Sequence, residues 1–194
     1  MIKAGFNFEH PKTKTRLTVL EGAAETNGMG WLLEITIDSK IQTDLGEHLH
    51  TTWTENFEII SGAAKYKLDG IEKTIKAGES FVVEPNHFHV HPWNESDEPL
   101  VYRQRDHFAQ PDPSAVQDIL GIFATRAGQA RDGKAPTGKL AKILQQAVTA
   151  RAVTKHGNYM AQPSKTAQKV IGSTLGLVAV LLGYKAVYPQ YVGE

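Results

Sequence analysis

The sequence predicts an antiparallel β sandwich or barrel followed by an α-helical segment. Three observations carry that reading. Short runs of alternating apolar and polar residues crowd residues 15–105, turn signals separate them at close intervals, and from Val116 onward the apolar spacing becomes helical.

The strands come first. "TRLTVLE" and "GWLLEITID" flank the turn-like "GAAETNGM", and Leu33, Ile35 and Ile37 alternate with Glu34, Thr36 and Asp38. "NFEIISG", "AAKYKLDG", "IEKTIKAGE", "SFVVEP" and "LVYRQRDHF" follow, with the Asp-Gly pair of "LDGIEKT" predicting a tight hairpin between two of them. No helical period intervenes, which favours antiparallel pairing in a sandwich or barrel. "AQPDPSA" at 109–115 closes the pattern: its prolines end the strand series, and Ser114 is the expected N-cap of a helix. Val116, Ile119, Leu120 and Phe123 then repeat at helical spacing. "ARDGKAPTG" interrupts, "KLAKILQQAVTARAV" resumes with Leu140, Ile143, Leu144 and Val148, and a last helix is expected from about Ser164 to Tyr184. The expected organisation is a barrel domain over residues 1–108 and a helical extension over 109–194.

Within that last helix, "VIGSTLGLVAVLLGY" runs for 15 residues without a charge. A membrane span needs about 20 apolar residues. The expectation is therefore a helix buried in a helix–helix or dimer interface. A membrane-surface helix over 164–184, supported by the basic half of the chain, is the alternative.

Composition narrows the function. The 194 residues are 41% hydrophobic with 9 prolines, as expected of a globular chain. There is no cysteine, which excludes disulfides, thiolate zinc sites and cysteine nucleophiles, so any metal is held by nitrogen and oxygen. The N-terminal "MIKAGFNFEHPKTK" has no apolar signal core, so a cytoplasmic location is expected. Net charge is zero, yet residues 1–110 carry 11 Lys and Arg against 17 Asp and Glu, whereas residues 111–194 carry 10 against 4. The halves thus stand at −6 and +6 and are expected to be different units that attract one another. No nucleic-acid partner is expected, because the basic residues are dispersed and the histidine-bearing half is acidic.

Histidine carries the chemistry. Five of the eight histidines lie between positions 48 and 91. His48 and His50 are two apart and share one face of a strand. Glu55 has the opposite parity and converges with them only if the chain turns between Thr51 and Thr54. "EPNHFHVHPWN" adds His87, His89 and His91, again on one face if extended, and periodicity does not say which of them meets the first pair. Three imidazoles and a carboxylate suit zinc, iron, nickel, copper or manganese.

At these residues the sequence resembles the cupin superfamily of small jelly-roll barrels. The first cupin motif is commonly G-x5-H-x-H-x3–4-E-x6-G, and His48, His50, Glu55 and Gly62 match it. The second is commonly G-x5-P-x-G-x2-H-x3-N, and Gly78 and His89 match it. Some positions depart. Gln42 stands where the first motif begins with glycine, Glu84 and Asn86 replace the proline and second glycine, and Trp93 occupies the place of the asparagine, with Asn94 one residue late. A one-residue bulge near His91 would account for that lateness. "ARDGKAPTGKLAKILQQAVTA" and "LLGYKAVYPQY" are similar to the helical tail of one uncharacterised group of bacterial single-domain cupins.

The resemblance implies a jelly-roll fold and a metal site of His48, His50, Glu55 and His89, with His91 as the other candidate for the third imidazole. It implies iron, manganese, nickel, zinc, cobalt or copper, a homodimer formed through barrel strands, and a small-molecule ligand. Oxygenase or isomerase chemistry would follow, or ligand binding without turnover in a protein whose tail makes dimer or membrane-surface contacts. Around the ligands, His91 is a candidate general base, Tyr102 a proton donor and Arg103 a bidentate clamp for a carboxylate. Trp53, Phe57 and Trp93 are candidate pocket walls, although Trp53 and Phe57 also suit the barrel core. Neighbouring residues on a regular strand face opposite ways, so Tyr102 and Arg103 do not both point inward.

Overall fold

The computed structural model describes residues 2–41 and 45–193. Gln42, at the head of the first motif, lies outside them. Two antiparallel sheets form the jelly roll. Its strands are β1 (Asn7–His10), β2 (Thr15–Glu21), β3 (Gly30–Ile37), β4 (His48–His50), β5 (Trp53–Ser61), β6 (Ala63–Leu68), β7 (Ile71–Lys76), β8 (Ser80–Val83), β9 (His89–Trp93) and β10 (Leu100–Phe108). One sheet has the order β1-β2-β3-β10-β5-β8; the other is β4-β9-β6-β7, extended at the β4 edge by β11 (Asn158–Met160) from the tail.

Local chemistry sets the turns. Asp69 and Gly70 both take positive φ (49° and 80°) in the two-residue turn that joins β6 to β7, as the Asp-Gly signal predicts. Gly62, the last residue of the first motif, has φ +83°, and a Cβ there would stand 2.8 Å from the carbonyl oxygen of Pro99. Only glycine fits that crossing between β5 and the approach to β10.

Opposite β6, strand β9 carries one extra residue: Lys65 pairs with Trp93 and Lys67 with Val90, so three steps on β9 face two on β6. This is the bulge that the late Asn94 predicts, and it holds Pro92, which has no N–H to give the ladder. Asn94 is fully buried and pins the β9–β10 connection. Its amide donates to the carbonyls of Ile37 (3.3 Å), Asp38 (3.0 Å) and Glu98 (2.8 Å), and its Oδ1 accepts from the Ser96 N–H (2.9 Å) and hydroxyl (2.7 Å). Asn94→Ala leaves those groups unpaired and is expected to destabilise the fold by about 3 kcal/mol, read as a fall in the urea midpoint with an unchanged m-value.

The barrel core joins Trp31, Leu33, Ile35, Phe57, Ile59 and Leu100 from facing strands, and Ala115, Val116, Ile119, Leu120 and Ala124 of helix α1 (Pro113–Arg131) belong to the same cluster. The N-cap of α1 is Asp112, not Ser114. The Asp112 carboxylate accepts from the Ala115 N–H at 2.9 Å and from the Ser114 hydroxyl, while Pro113 takes the first helical position, where its missing N–H costs nothing.

Helix α2 (Lys139–Lys155) buries Leu144 and Val148 but leaves Leu140 and Ile143 exposed. The expected last helix is two: α3 (Lys165–Ser173), capped by the Ser164 hydroxyl, and α4 (Leu175–Leu181), with the break at Thr174. Buried His156 ties α2 back to α1, its Nδ1 3.2 Å from Asp112 and its Nε2 2.8 Å from Asp118. The tail then adds β11 to β4, Tyr159 opposite Leu49. Among the described residues, no helix is long and apolar enough to cross a membrane.

Candidate metal centre

Glu55 and the histidines meet because the chain bends. β4 ends at His50 in one sheet, Thr51 and Thr52 turn, and β5 starts at Trp53 in the other sheet. The turn that the parity of Glu55 demands is therefore present, and the carboxylate faces the imidazoles across the barrel. β4 and β9 pair directly, His48 opposite His89. Since His89 and His91 share parity on β9, both point inward.

His48, Glu55, His89 and His91 are all buried, and one ligand atom from each lies within 4.8 Å of the other three. Glu55 Oε2 is the hub, 2.9 Å from His89 Nε2 and 3.4 Å from the Nε2 atoms of His50 and His91. Glu55 Oε2 and the Nε2 atoms of His89 and His91 are buried without a well-formed hydrogen bond. Buried polar atoms aimed at one point and left unpaired are what a cation would satisfy. His48 Nδ1 donates to the Gly46 carbonyl at 2.9 Å and His89 Nδ1 to the His87 carbonyl at 3.1 Å, which leaves each Nε2 lone pair free. The donor set fits a divalent transition metal.

His50 is not one of the four, although its Nε2 is as near Glu55 Oε2 as that of His91, both at 3.4 Å. Its ring stacks on Trp53 at 4.5 Å with an interplanar angle of 15°, and both of its nitrogens lack hydrogen bonds. Of the four expected ligands, His48, Glu55 and His89 belong to the group, His91 takes the place given to His50, and His50 lies beside them.

The electrostatics sort the four. Burial pushes the Glu55 carboxyl up, but His91, His50 and His89 together outweigh burial and hold it well below the usual carboxylate range. Burial, aided by the neighbouring imidazoles, holds His48 well below an ordinary imidazole, and burial outweighs the pull of Glu55 to leave His91 lowered as well. At His89 the balance reverses: Glu55 overcomes burial and raises it. The cluster therefore offers a carboxylate and two neutral imidazoles, with one imidazole inclined to hold a proton.

The remaining candidates divide by parity. On β10, Tyr102, Gln104 and Asp106 point inward, whereas Arg103 lies on the outer face and donates twice to Glu34, both at 3.2 Å. Arg103 is thus remote from the cluster and unable to clamp a substrate there. Tyr102 is buried beside Phe57 and lines a small cavity of about 80 Å³ with Phe8 and Phe123. Burial, helped by Glu55 and Asp106, raises its pKa and keeps the phenol protonated. Phe57 is core, stacked on Phe81 and edge-on to His91 at 5.1 Å. Trp93 turns its Nε1–H to Glu95. Trp53 does form a wall, and its Nε1–H reaches Glu55 Oε1 at 3.5 Å.

Two site residues escaped sequence reasoning. Gln104 donates to Asp106 Oδ1 at 2.8 Å and to Glu55 Oε1 at 3.4 Å, bridging the carboxyls. Burial, reinforced by Glu55, pushes the Asp106 carboxyl well above its usual range, so it is the protonated member beside ionised Glu55. Their signal was the parity they share with Tyr102 in "LVYRQRDHF".

The helical tail roofs this centre. A cavity of about 770 Å³ lies between barrel and helices, with His48, Trp53, Glu55, His91 and Gln104 on the barrel side. Ile119 and Ile122 of α1, Ile143 and Val153 of α2, Ile171 of α3 and Leu175 of α4 supply apolar wall opposite.

Residues 38–103 match the family model described as a cupin domain. No curated protein matches the chain. Similar solved structures include a predicted oxalate decarboxylase from Thermotoga maritima (15% identity over 56% of this chain and 89% of that one, TM-score 0.46). A Cupin 2 conserved barrel domain protein from Salinispora arenicola is 20% identical over 53% of this chain and 82% of its own (TM-score 0.43). A sugar phosphate isomerase of the cupin superfamily from Silicibacter pomeroyi is 14% identical over 48% and 59% (TM-score 0.40).

Proposed function

Since residues 38–103 carry a cupin domain and place this barrel in the cupin superfamily, we propose that the chain is a metal-dependent oxygenase or isomerase of a small, largely apolar metabolite. The observation that carries the reading is the roofed cavity with His48, Glu55 and His91 in its wall. A purely structural metal would be closed off by its ligands, whereas this cluster opens onto space large enough for a substrate. His48, Glu55, His89 and His91 would hold the ion. When bound, the metal supplies Lewis acidity, or redox chemistry toward dioxygen.

The chain's own residues do the rest. Ile119, Ile122 and Leu175 receive the apolar body of the substrate and keep water from it. Glu55, held ionised, offsets the charge of the ion, and Gln104 fixes its Oε1 while Oε2 points at the imidazoles. His91, lowered and neutral, serves as a ligand rather than a base in this reading.

Elemental analysis of the purified protein beside a His48→Ala/His91→Ala variant tests it. About one transition metal per chain, lost in the variant, is the expected result. Oxygen uptake or isomer formation across a panel of apolar oxygenated compounds then separates the two chemistries. Failure of the parent protein to take up iron(II), manganese, nickel or zinc on titration would refute the catalytic reading and leave a metal-free binding module.

A further inference from the structure

We propose that the outer face of α3–α4 is a docking surface for an anionic lipid membrane. The observation is an inverted helix. On the side that meets the protein, the segment carries Gly172, Gly176 and Ala179, buried against α2. A Cβ on Gly172 would come 3.0 Å from Arg151 Cα, and one on Gly176 would come 2.8 Å from the Ala147 carbonyl oxygen. Small residues thus let the backbones touch, and the large aliphatic side chains go elsewhere. Leu177, Val178, Val180, Leu181 and Leu182 are exposed, Leu181 to 78% and Leu182 to 63%, and Val170 extends the patch. A helix built for its own core puts its leucines inward. Clustered exposed aliphatics of this kind mark an interaction surface.

Charge selects the occupant. Between Asp132 and Glu194 the chain has no acidic residue, and it has eight lysines and arginines. Lys185 follows α4, and Lys169 lies exposed on α3 at the edge of the patch, its ammonium 5.7 Å from the centre of the Tyr159 ring. A two-fold contact between two copies through this face would bring like charges together with no carboxylate in the segment to pair them. An anionic membrane answers both features, taking the aliphatic residues into the headgroup–acyl boundary and the lysines onto its phosphates. The helices lie along the surface, since none among the described residues is long enough to span. Docking is independent of what the cavity binds.

The full chain is sedimented with vesicles of phosphatidylcholine containing phosphatidylglycerol, and with vesicles of phosphatidylcholine alone. The expected result is binding to the first, weakened by added salt, and little to the second. Leu181→Asp/Leu182→Asp abolishes it, and the exposure of both positions lets the fold tolerate the change. Lys169→Ala/Lys185→Ala, a second variant that leaves the aliphatic patch intact, lowers apparent affinity roughly thirtyfold. Absence of binding to the anionic vesicles overturns the proposal, as does equal, salt-insensitive binding to both kinds. So does a dimer by light scattering that Leu181→Asp/Leu182→Asp dissociates without any vesicle binding by the parent protein, which would make a second copy the occupant.

Discussion

Glu55→Gln is expected to lower affinity for a divalent transition metal by more than about 100-fold while leaving the barrel folded. The magnitude exceeds the loss typical of a residue that only supports a ligand, about 10- to 100-fold, because Glu55 is the one carboxylate among the four convergent groups. Geometry explains why the fold survives. Glu55 Oε1 accepts from Trp53 at 3.5 Å and from Gln104 at 3.4 Å. A glutamine of the same shape keeps its carbonyl oxygen on those two donors. Its NH2 group then takes the place of Oε2, where it aims a donor at the lone pairs of His89 and His91. The anion is lost, and hydrogens occupy the point where a cation would sit. Isothermal titration with manganese, nickel or zinc, alongside the far-UV spectrum and unfolding midpoint, checks both halves of this expectation. Affinity within a few-fold of the parent protein would remove Glu55 from the ligand set.

Much of the barrel was legible because its signals are local. "TRLTVLE" and "LVYRQRDHF" begin and end at the residues where β2 and β10 do, since strict alternation leaves one face for the core and one for water. The pairing of Glu55 with the histidines could be posed from parity and needed only the bend at Thr51–Thr52. Gln104 and Asp106 were less visible, because a polar residue at an inward position reads as an outward one until the neighbouring sheet is known.

The tail resisted for a different reason. β11 is three residues long and depends on distant contacts: His156, held by Asp112 and Asp118, brings the chain to the open edge of β4, and Gln168 bonds both backbone groups of Met160. Nothing in "NYM" signals a strand. Helical periodicity in "KLAKILQQAVTARAV" identified α2 but not its inward face: Leu144 and Val148 meet Ala179, whereas Ile143 opens onto the cavity and Leu140 onto solvent. A helix that roofs a cavity keeps apolar residues on a face that no core fills, so periodicity overstates its burial. The same property hid the role of the extension. Its relation to the metal cluster exists only in three dimensions, where α1, α2 and the α3–α4 pair close over His48 and His91.

Metal binding is expected to strengthen with pH, by about tenfold per unit below the pKa of His89 and scarcely at all above it. Glu55 raises His89 above the ordinary imidazole value despite burial, so in the metal-free protein this ring holds a proton in a range where free histidine has begun to lose it. Proton and metal compete for the same Nε2 lone pair. His48 and His91, both lowered, are neutral through that range, and Glu55, held well below its usual value, is ionised. One proton is therefore released per metal bound below the pKa of His89, and none above. The metal-free fold has the opposite slope from this residue: the His89–Glu55 attraction stabilises it fully below about pH 6.5 and is lost as pH rises through the raised value. Titrations in two buffers of different ionisation enthalpy count the protons directly. Release of two or more would mean that His48 or His91 is also protonated in the metal-free barrel, and release of none at low pH would mean that His89 is not a ligand. Because opposing slopes come from one ring, a metal-loaded protein gains stability over the metal-free one as pH rises, and the gap between their unfolding midpoints widens until His89 has lost its proton in the metal-free protein.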